Sequence, residues 1–362
     1  MLDFIHVADI HLGATPESDR GWDINREKEI YDSFRRVVTE CEEKKIDLLL
    51  ISGDLFHKQP LLRELKEVNY IFSKLTHTKV VMIAGNHDYI GPRSNYHNFN
   101  WCDCVTMLSG GEMDSIYFEG INTEVYGLSY LSREIFESKY DAMIPGVEER
   151  INILLAHGGN ENNIPINYKK VDEAGFDYVA LGHFHKPQLI TERMAYVGSL
   201  EPLSKGEPLP HGYYYGEITK EKEKTEERYE SNLSLTFVPI ASREYMTKEI
   251  EVTPDMLSTG IVDFARNILS ENGSQNFYQF ILVGKTDPSI LFDFEDFYRL
   301  GYVTEVLNHT LPDYDFDSLY EENKDNLIGS YIRRIRESDA KDGLVNKALY
   351  YGIEALLNTK ER

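Results

Sequence analysis

The sequence predicts an α+β fold, on three observations. Apolar runs alternate with amphipathic stretches through the first half, strand-like segments crowd the middle, and past residue 241 a short strand–helix–strand module gives way to a mostly helical end. Alternation of the first kind builds a parallel sheet under helices, and the strand-rich continuation implies a second sheet packed on the first. With 362 residues, 41% hydrophobic and 12% aromatic, the chain has ample material for a core, which excludes a disordered protein.

Residues 2–8 form an apolar run that ends at Asp9. Residues 24–44 carry Ile30, Phe34, Val37, Val38 and Cys41 at helical spacing. A buried strand at 47–52 ends at Asp54, a helix follows at 61–75, and a strand at 79–84 ends at Asn86. Further strands are expected at 115–118, 123–128, 151–156, 178–181, 195–197, 213–218 and 233–238. The mixed-charge run 220–230 reads as a solvated hairpin tip. Strands at 244–252 and 278–283 enclose a helix at 255–269, and from Phe292 onward the chain reads as mostly helical, with acidic punctuation at 312–317. The helices within 327–357 are amphipathic but too short to stand alone. The expected domains are 1–240, 241–290 and 291–362.

Three cysteines, Cys41, Cys102 and Cys104, are too few for a disulfide framework and favour a reducing, cytoplasmic setting. Cys102 and Cys104 flank Asp103 and read as two small buried side chains, with a redox or metal role as the minor alternative. The N-terminus runs straight into a strand without a basic region, so no signal peptide is expected, and no apolar run is long enough to span a bilayer. The net charge of −23 opposes autonomous binding of a polyanion, because nucleic-acid affinity comes largely from Lys and Arg displacing counterions. If the substrate is DNA, positive charge must come from metals, a local patch or a partner.

Chemistry concentrates in five short motifs, each at the end of an apolar run: Asp9 with His11; Gly53, Asp54 and His57; Gly85 through Asp88; His157; and His183 with His185. Carboxylate, imidazole and amide oxygen without thiolate suit manganese, magnesium, iron or zinc. Seven such ligands exceed the need of one ion, whereas two ions sharing a bridging carboxylate would use them all. Two metals about 3.5–4 Å apart clamp an in-line displacement at phosphorus and activate a bridging water.

These motifs resemble the signature of the calcineurin-like metallophosphoesterase superfamily over roughly the first 200 residues, and more closely its SbcD-type DNA exonuclease branch, through residues 9–13 and 53–57. The resemblance implies a four-layer α/β/β/α sandwich with a small α/β capping domain and a helical tail. It implies one metal site of Asp9, His11, Asp54 and His185 and another of Asp54, Asn86, His157 and His183, bridged by Asp54. His183 and His185, two apart in an extended segment, would project to the same side. His87 would stabilise phosphoryl charge and protonate the leaving oxygen, oriented by Asp88, and His57 would position substrate.

The implied activity is Mn²⁺-dependent phosphodiester hydrolysis in DNA repair, by attack of a metal-bridging hydroxide. The implied partners are DNA, an SbcC-type coiled-coil ATPase docked on the C-terminal helices, and a second copy in a homodimer. The alternatives are a stand-alone phosphatase or small-molecule phosphodiesterase, and a non-catalytic scaffold for an ATPase.

His6, His77, His97, His211 and His309 lack motif context and read as ordinary core or surface histidines, His211 being the one whose loop can reach the site. Gly198 and Ser199 read either as a phosphate-facing turn or as a plain one. Lys58, Arg63, Arg93, Lys186 and Lys205 are the local candidates for phosphate contacts, against a default reading as surface charge.

Overall fold

The computed structural model describes residues 1–18, 21–208, 210–222, 229–290, 292–338 and 341–358. It divides into two compact units, Met1–Glu244 and Tyr245–Arg362.

In the first unit the chain runs β1 (Leu2–Val7), α1 (Asp23–Lys44), β2 (Leu48–Ser52), α2 (Leu62–Phe72), β3 (Lys79–Ile83), β4 (Val105–Met107), β5 (Asp114–Phe118), β6 (Thr123–Gly127), β7 (Ile151–His157), α3 (Tyr168–Glu173), β8 (Tyr178–Gly182), β9 (Gln188–Thr191), β10 (Met194–Tyr196), β11 (Gly212–Lys222) and β12 (Tyr229–Pro239). One sheet has the order β12-β11-β1-β2-β3-β4, the other β5-β6-β7-β8-β10-β9. β1, β2, β3 and β4 are mutually parallel, as are β6, β7 and β8.

Alternate residues of each central strand serve different layers. Leu48, Leu50, Val81 and Ile83 face Val125, Ile153, Leu155 and Ala180 of the second sheet, forming the core between the sheets. Their neighbours Leu49, Ile51, Val80 and Met82 face Ile30, Phe34 and Val37 of α1 and Leu65, Val68 and Phe72 of α2. On the outer face of the second sheet, Leu154, Ala156, Val179 and Leu181 pack with Val171 of α3, Tyr140 and Met143. Layers on both faces explain why these strands read as unbroken apolar runs. α1 ends where Lys45 turns left-handed, at φ 55°.

Two strands of the first unit escaped the sequence reading. β4 spans three half-buried residues, and β9 exposes Gln188 and Leu189, so neither carries an apolar signature. β11 and β12 are longer than expected and pair from Gly212↔Pro239 to Lys222↔Tyr229, while 223–228, the centre of the expected hairpin tip, lie outside the described residues.

The second unit is built on parallel strands β13 (Tyr245–Val252), β14 (Phe277–Thr286) and β15 (Val303–Asn308), with β16 (Leu311–Pro312) also on β14. The helices are α4 (Ser258–Asn272), α5 (Glu295–Tyr298), α6 (Phe316–Glu322), α7 (Leu327–Arg336) and α8 (Asp342–Asn358). β15 and β16 are strands in a stretch expected to be mostly helical after Phe292. Val303 and Val306 are buried with Ile261 and Ala265 of α4 and with Phe280, so the sheet extends past residue 290. Ile328 and Ile332 of α7 meet Leu349 and Ile353 of α8 in a separate small core. No helix among the described residues is long and apolar enough to cross a membrane.

Candidate metal centre

The ends of the parallel strands bring the motifs together. Asp9 follows β1, Asp54 follows β2, Asn86 follows β3, His157 closes β7, and His183 follows β8. Functional groups collect beyond the carboxyl ends of strands in such sheets. The loops after β1 and β2 are zipped by Asp9 N–H to Gly53 O (3.2 Å), His11 N–H to Asp54 O (3.0 Å) and Leu12 N–H to Leu55 O (2.9 Å).

The backbone is strained here. Asp9, His11, Asp54 and His183 all have positive φ, at 48°, 51°, 51° and 104°. Non-glycine residues rarely adopt this region, at a cost of about 1–3 kcal/mol each, and such positions cluster at functional sites. Two glycines are set by space: a Cβ on Gly53 would run into the His157 ring, and one on Gly85 into the Asp54 carboxylate.

The seven expected ligands converge. Asp54 Oδ2 lies 3.7 Å from His11 Nε2 and 3.5 Å from His157 Nε2, between the two halves of the cluster. On one side His11 Nε2 is 3.0 Å from His185 Nε2, with an Asp9 oxygen close by. On the other, Asn86 Oδ1 is 3.0 Å from His157 Nε2 and 3.1 Å from His183 Nδ1. Metal–ligand bonds of about 2.0–2.2 Å place ligand atoms roughly 3–3.6 Å apart, so these separations fit coordination polyhedra. Asp9 also approaches Asp54 and His157 closely enough to share an ion with them.

Charge state fits the same use. Asp9 and Asp54 are buried, and a buried carboxylate is costly unless paired. Burial pushes the Asp9 carboxyl up. Burial acts the same way on Asp54, but the His157, His11 and His87 rings overcome it and hold the carboxyl below its usual range. Burial holds His11 well below the ordinary imidazole value and His183 down to about 3, leaving neutral rings with a lone pair to donate. His157 is the exception: burial opposes its proton, yet Asp54 raises it to about 9.

Sequence reasoning missed the groups that aim these ligands. Ser52 O accepts from His157 Nδ1 at 2.8 Å, leaving Nε2 for the cluster. Glu207 Oε1 lies 3.1 Å from His185 Nδ1, and Asn160 Nδ2 lies 2.6 Å from His183 Nε2. Outer partners of this kind fix ring orientation and tautomer. A carboxylate following a Gly-rich turn was the available signal for Glu207; Asn160 had none beyond its proximity to His157.

His57 and His87 sit half-buried beside the cluster, their rings stacked with centroids 5.3 Å apart. The backbone N–H of His87 donates to Asp54 Oδ1 (2.8 Å), and its Nδ1 donates to the His57 carbonyl (3.1 Å). Asp88 was expected to orient His87, but its carboxylate accepts from Gly85 N–H (2.8 Å), Phe56 N–H (3.3 Å) and Tyr96 OH (2.9 Å). It ties the loops after β2 and β3 together, and the His57 carbonyl takes the orienting place. Burial and the Asp54 charge push the Asp88 carboxyl up to about 7.

The remaining histidines have local partners: His6 with Tyr178 and Ser52, His77 with Asp47, His97 with Gly91 O, and His211 with Ser199; His309 is exposed. Ser199 N–H donates to His185 O, so that turn braces the ligand loop. Lys58, Arg63, Arg93, Lys186 and Lys205 are all exposed.

A family model for the calcineurin-like phosphoesterases matches residues 2–187. The DNA double-strand break repair protein Mre11 of Methanocaldococcus jannaschii is 34% identical over 222 residues, covering 56% of this chain and 58% of that protein. The uncharacterized metallophosphoesterase YhaO of Bacillus subtilis is 28% identical over 243 residues, 60% of this chain and 58% of that one. The Mre11 of Methanopyrus kandleri is 29% identical over 223 residues, 55% and 49% respectively. The chain thus spans about half to three-fifths of the length of these relatives.

Proposed function

Because this chain belongs to the calcineurin-like phosphoesterase family, we propose that it is a two-metal phosphodiesterase that cuts DNA. The observation that carries the reading is the convergence of His11, Asp54, Asn86, His157, His183 and His185, with neighbouring ligand atoms 3.0–3.7 Å apart, around Asp9, which has an oxygen within 4.8 Å of His11, His185, Asp54 and His157. Asp9, His11, Asp54 and His185 would hold one ion and Asp54, Asn86, His157 and His183 the other. The donor set accepts Mn²⁺, Mg²⁺, iron or zinc, and the resemblance to the exonuclease branch selects Mn²⁺ among them.

Two such ions, when bound, supply Lewis acidity at phosphorus and a water acidic enough to attack at neutral pH. The chain's own groups do the rest. Asp54 spans the two positions and receives the His87 N–H, which fixes His87 relative to the cluster. With its Nδ1 proton directed at the His57 carbonyl, His87 presents Nε2 to a phosphate oxygen, to stabilise its charge and protonate the departing sugar oxygen. His57, stacked on His87, positions the substrate phosphate.

The relatives named as DNA double-strand break repair proteins support DNA as substrate. Residues 1–240 would be the nuclease domain, 241–290 the capping domain and 291–362 the partner-binding region, whose β15 also joins the capping sheet. Exposed Leu327 on α7 and Leu344 and Tyr351 on α8 offer apolar contacts to an SMC-like coiled-coil ATPase. A partner with a basic surface would offset the net charge of −23. By the same resemblance the chain would act as a homodimer.

The test is turnover with Mn²⁺ on linear DNA and on a small aryl phosphodiester, with and without such an ATPase. DNA cleavage by the chain or its complex is expected. Hydrolysis of the small ester alone, under every condition, would replace this reading with that of a small-molecule phosphodiesterase.

A further inference from the structure

Three imidazoles meet beside the Asp54 cluster, each from a different loop: His11 after β1, His57 after β2 and His87 after β3. Their ring centroids form a nearly equilateral triangle, 4.8 Å from His11 to His87 and 5.3 Å from His57 to each of the others. One nitrogen from each lies within 4.8 Å of the other two. His57 Nδ1 and His11 Nδ1 are 3.4 Å apart. A tetrahedral ion with nitrogen bonds of about 2.0–2.1 Å has ligand atoms about 3.3–3.4 Å apart along each edge, so this pair already spans one edge.

The two faces of His11 differ. Its Nε2 points to His185 and Asp54, among oxygen-rich neighbours. Its Nδ1 points to His57, where the other candidate donor is also an imidazole. Hard ions such as Mg²⁺ and Ca²⁺ disfavour an all-nitrogen set, whereas Zn²⁺, Co²⁺, Ni²⁺ and Cu²⁺ accept it.

We propose that His11, His57 and His87 form a separate three-imidazole site for a borderline transition-metal ion, which inhibits the protein when filled. A neutral imidazole has one lone pair, so His11 cannot donate to an ion in the triangle and to the Asp54 cluster at once. Filling the triangle therefore competes with the first ion of the pair. It also occupies the nitrogens of His57 and His87 that face substrate, a consequence that rests on the function proposed above.

The probe is Co²⁺, whose tetrahedral complexes absorb visible light far more strongly than its octahedral ones. Co²⁺ is titrated into the Mn²⁺-loaded full chain and into His57→Ala and His87→Ala, each checked for an unchanged melting profile, with bound Mn²⁺ counted in parallel. The wild type is expected to develop the tetrahedral band to saturation at one Co²⁺ per chain, with excess Mn²⁺ reversing it. Both variants are expected to lose the band. A band that persists in either variant places the ion in the Asp54 cluster and overturns the proposal, as does a wild type with no band. The Mn²⁺ count reports separately on the two-ion reading, so the failure of one is not mistaken for the failure of the other.

Discussion

Asp54 and His87 lie within one hydrogen bond of each other, yet the account gives them separable tasks, and substitution separates them. His87→Gln is expected to keep its metal content while kcat falls by on the order of 10²–10⁴-fold, read by metal analysis beside single-turnover kinetics. Normal turnover in that variant would remove His87 from proton transfer. Glu207 acts only through His185: Glu207→Gln is expected to weaken metal affinity by roughly 10–100-fold while leaving the rate at saturating metal nearly intact. An unchanged affinity would show that the contact does not tune the ligand. The expected ligands were legible in the sequence because their motifs sit at the ends of apolar runs, a position visible without coordinates. Glu207 and Asn160 were not, because their loops have no periodicity and contact depends on how those loops close. Asp88 was assigned to His87 by adjacency, but the turn from Gly85 to Asp88 directs its carboxylate at the N–H groups of Gly85 and Phe56.

At the level of elements, the strand ends hold their strained residues only because the strands are locked from both faces. Leu50 of β2 is fully buried between the sheets, two residues from Ser52, whose carbonyl aims His157. Leu50→Ala is expected to cost about 2–5 kcal/mol in urea unfolding, and a loss under about 1 kcal/mol would mean that the layer repacks freely. α1 is tied to the end of the first unit through Glu29, which pairs with Arg243 (2.7 Å) and Arg26 (2.5 Å). Burial opposes ionisation of Glu29, but the two guanidinium groups hold its carboxyl below the ordinary 4.5. A carboxyl so depressed adds stability above the unfolded-state value and loses it as pH falls through the folded one. The difference in Tm between wild type and Glu29→Gln is therefore expected to be constant near neutrality and to shrink below about pH 4.5; a gap that widens on acidification would reverse the sign. The long, doubly buried strands and α1 were readable from apolar runs and helical spacing. β4 and β9 were too short or too exposed to show a period, and β15 was hidden in a segment whose flanks read as helix.

For the whole molecule, the net charge of −23 sets the terms on which DNA can approach. The isolated chain is expected to bind duplex DNA at physiological salt no better than ordinary nonspecific binding, with Kd above about 10⁻⁶ M, and to tighten when a basic partner joins. Tight binding by the chain alone would contradict the charge argument. Family membership was within reach of the motifs because they place so many metal-binding residue types in one order; the proposed substrate was not, since phosphate chemistry is common to the family and a preference for DNA would depend on surfaces beyond the cluster. The most direct test of the central claim is the number of Mn²⁺ ions bound per chain at equilibrium, measured by the loss of the free-ion EPR signal, in wild type and in Asp54→Asn. Two are expected in the wild type and at most one in the variant, because Asp54 would be the carboxylate that both positions share. A wild type that binds a single ion, or a variant that still binds two, would contradict it.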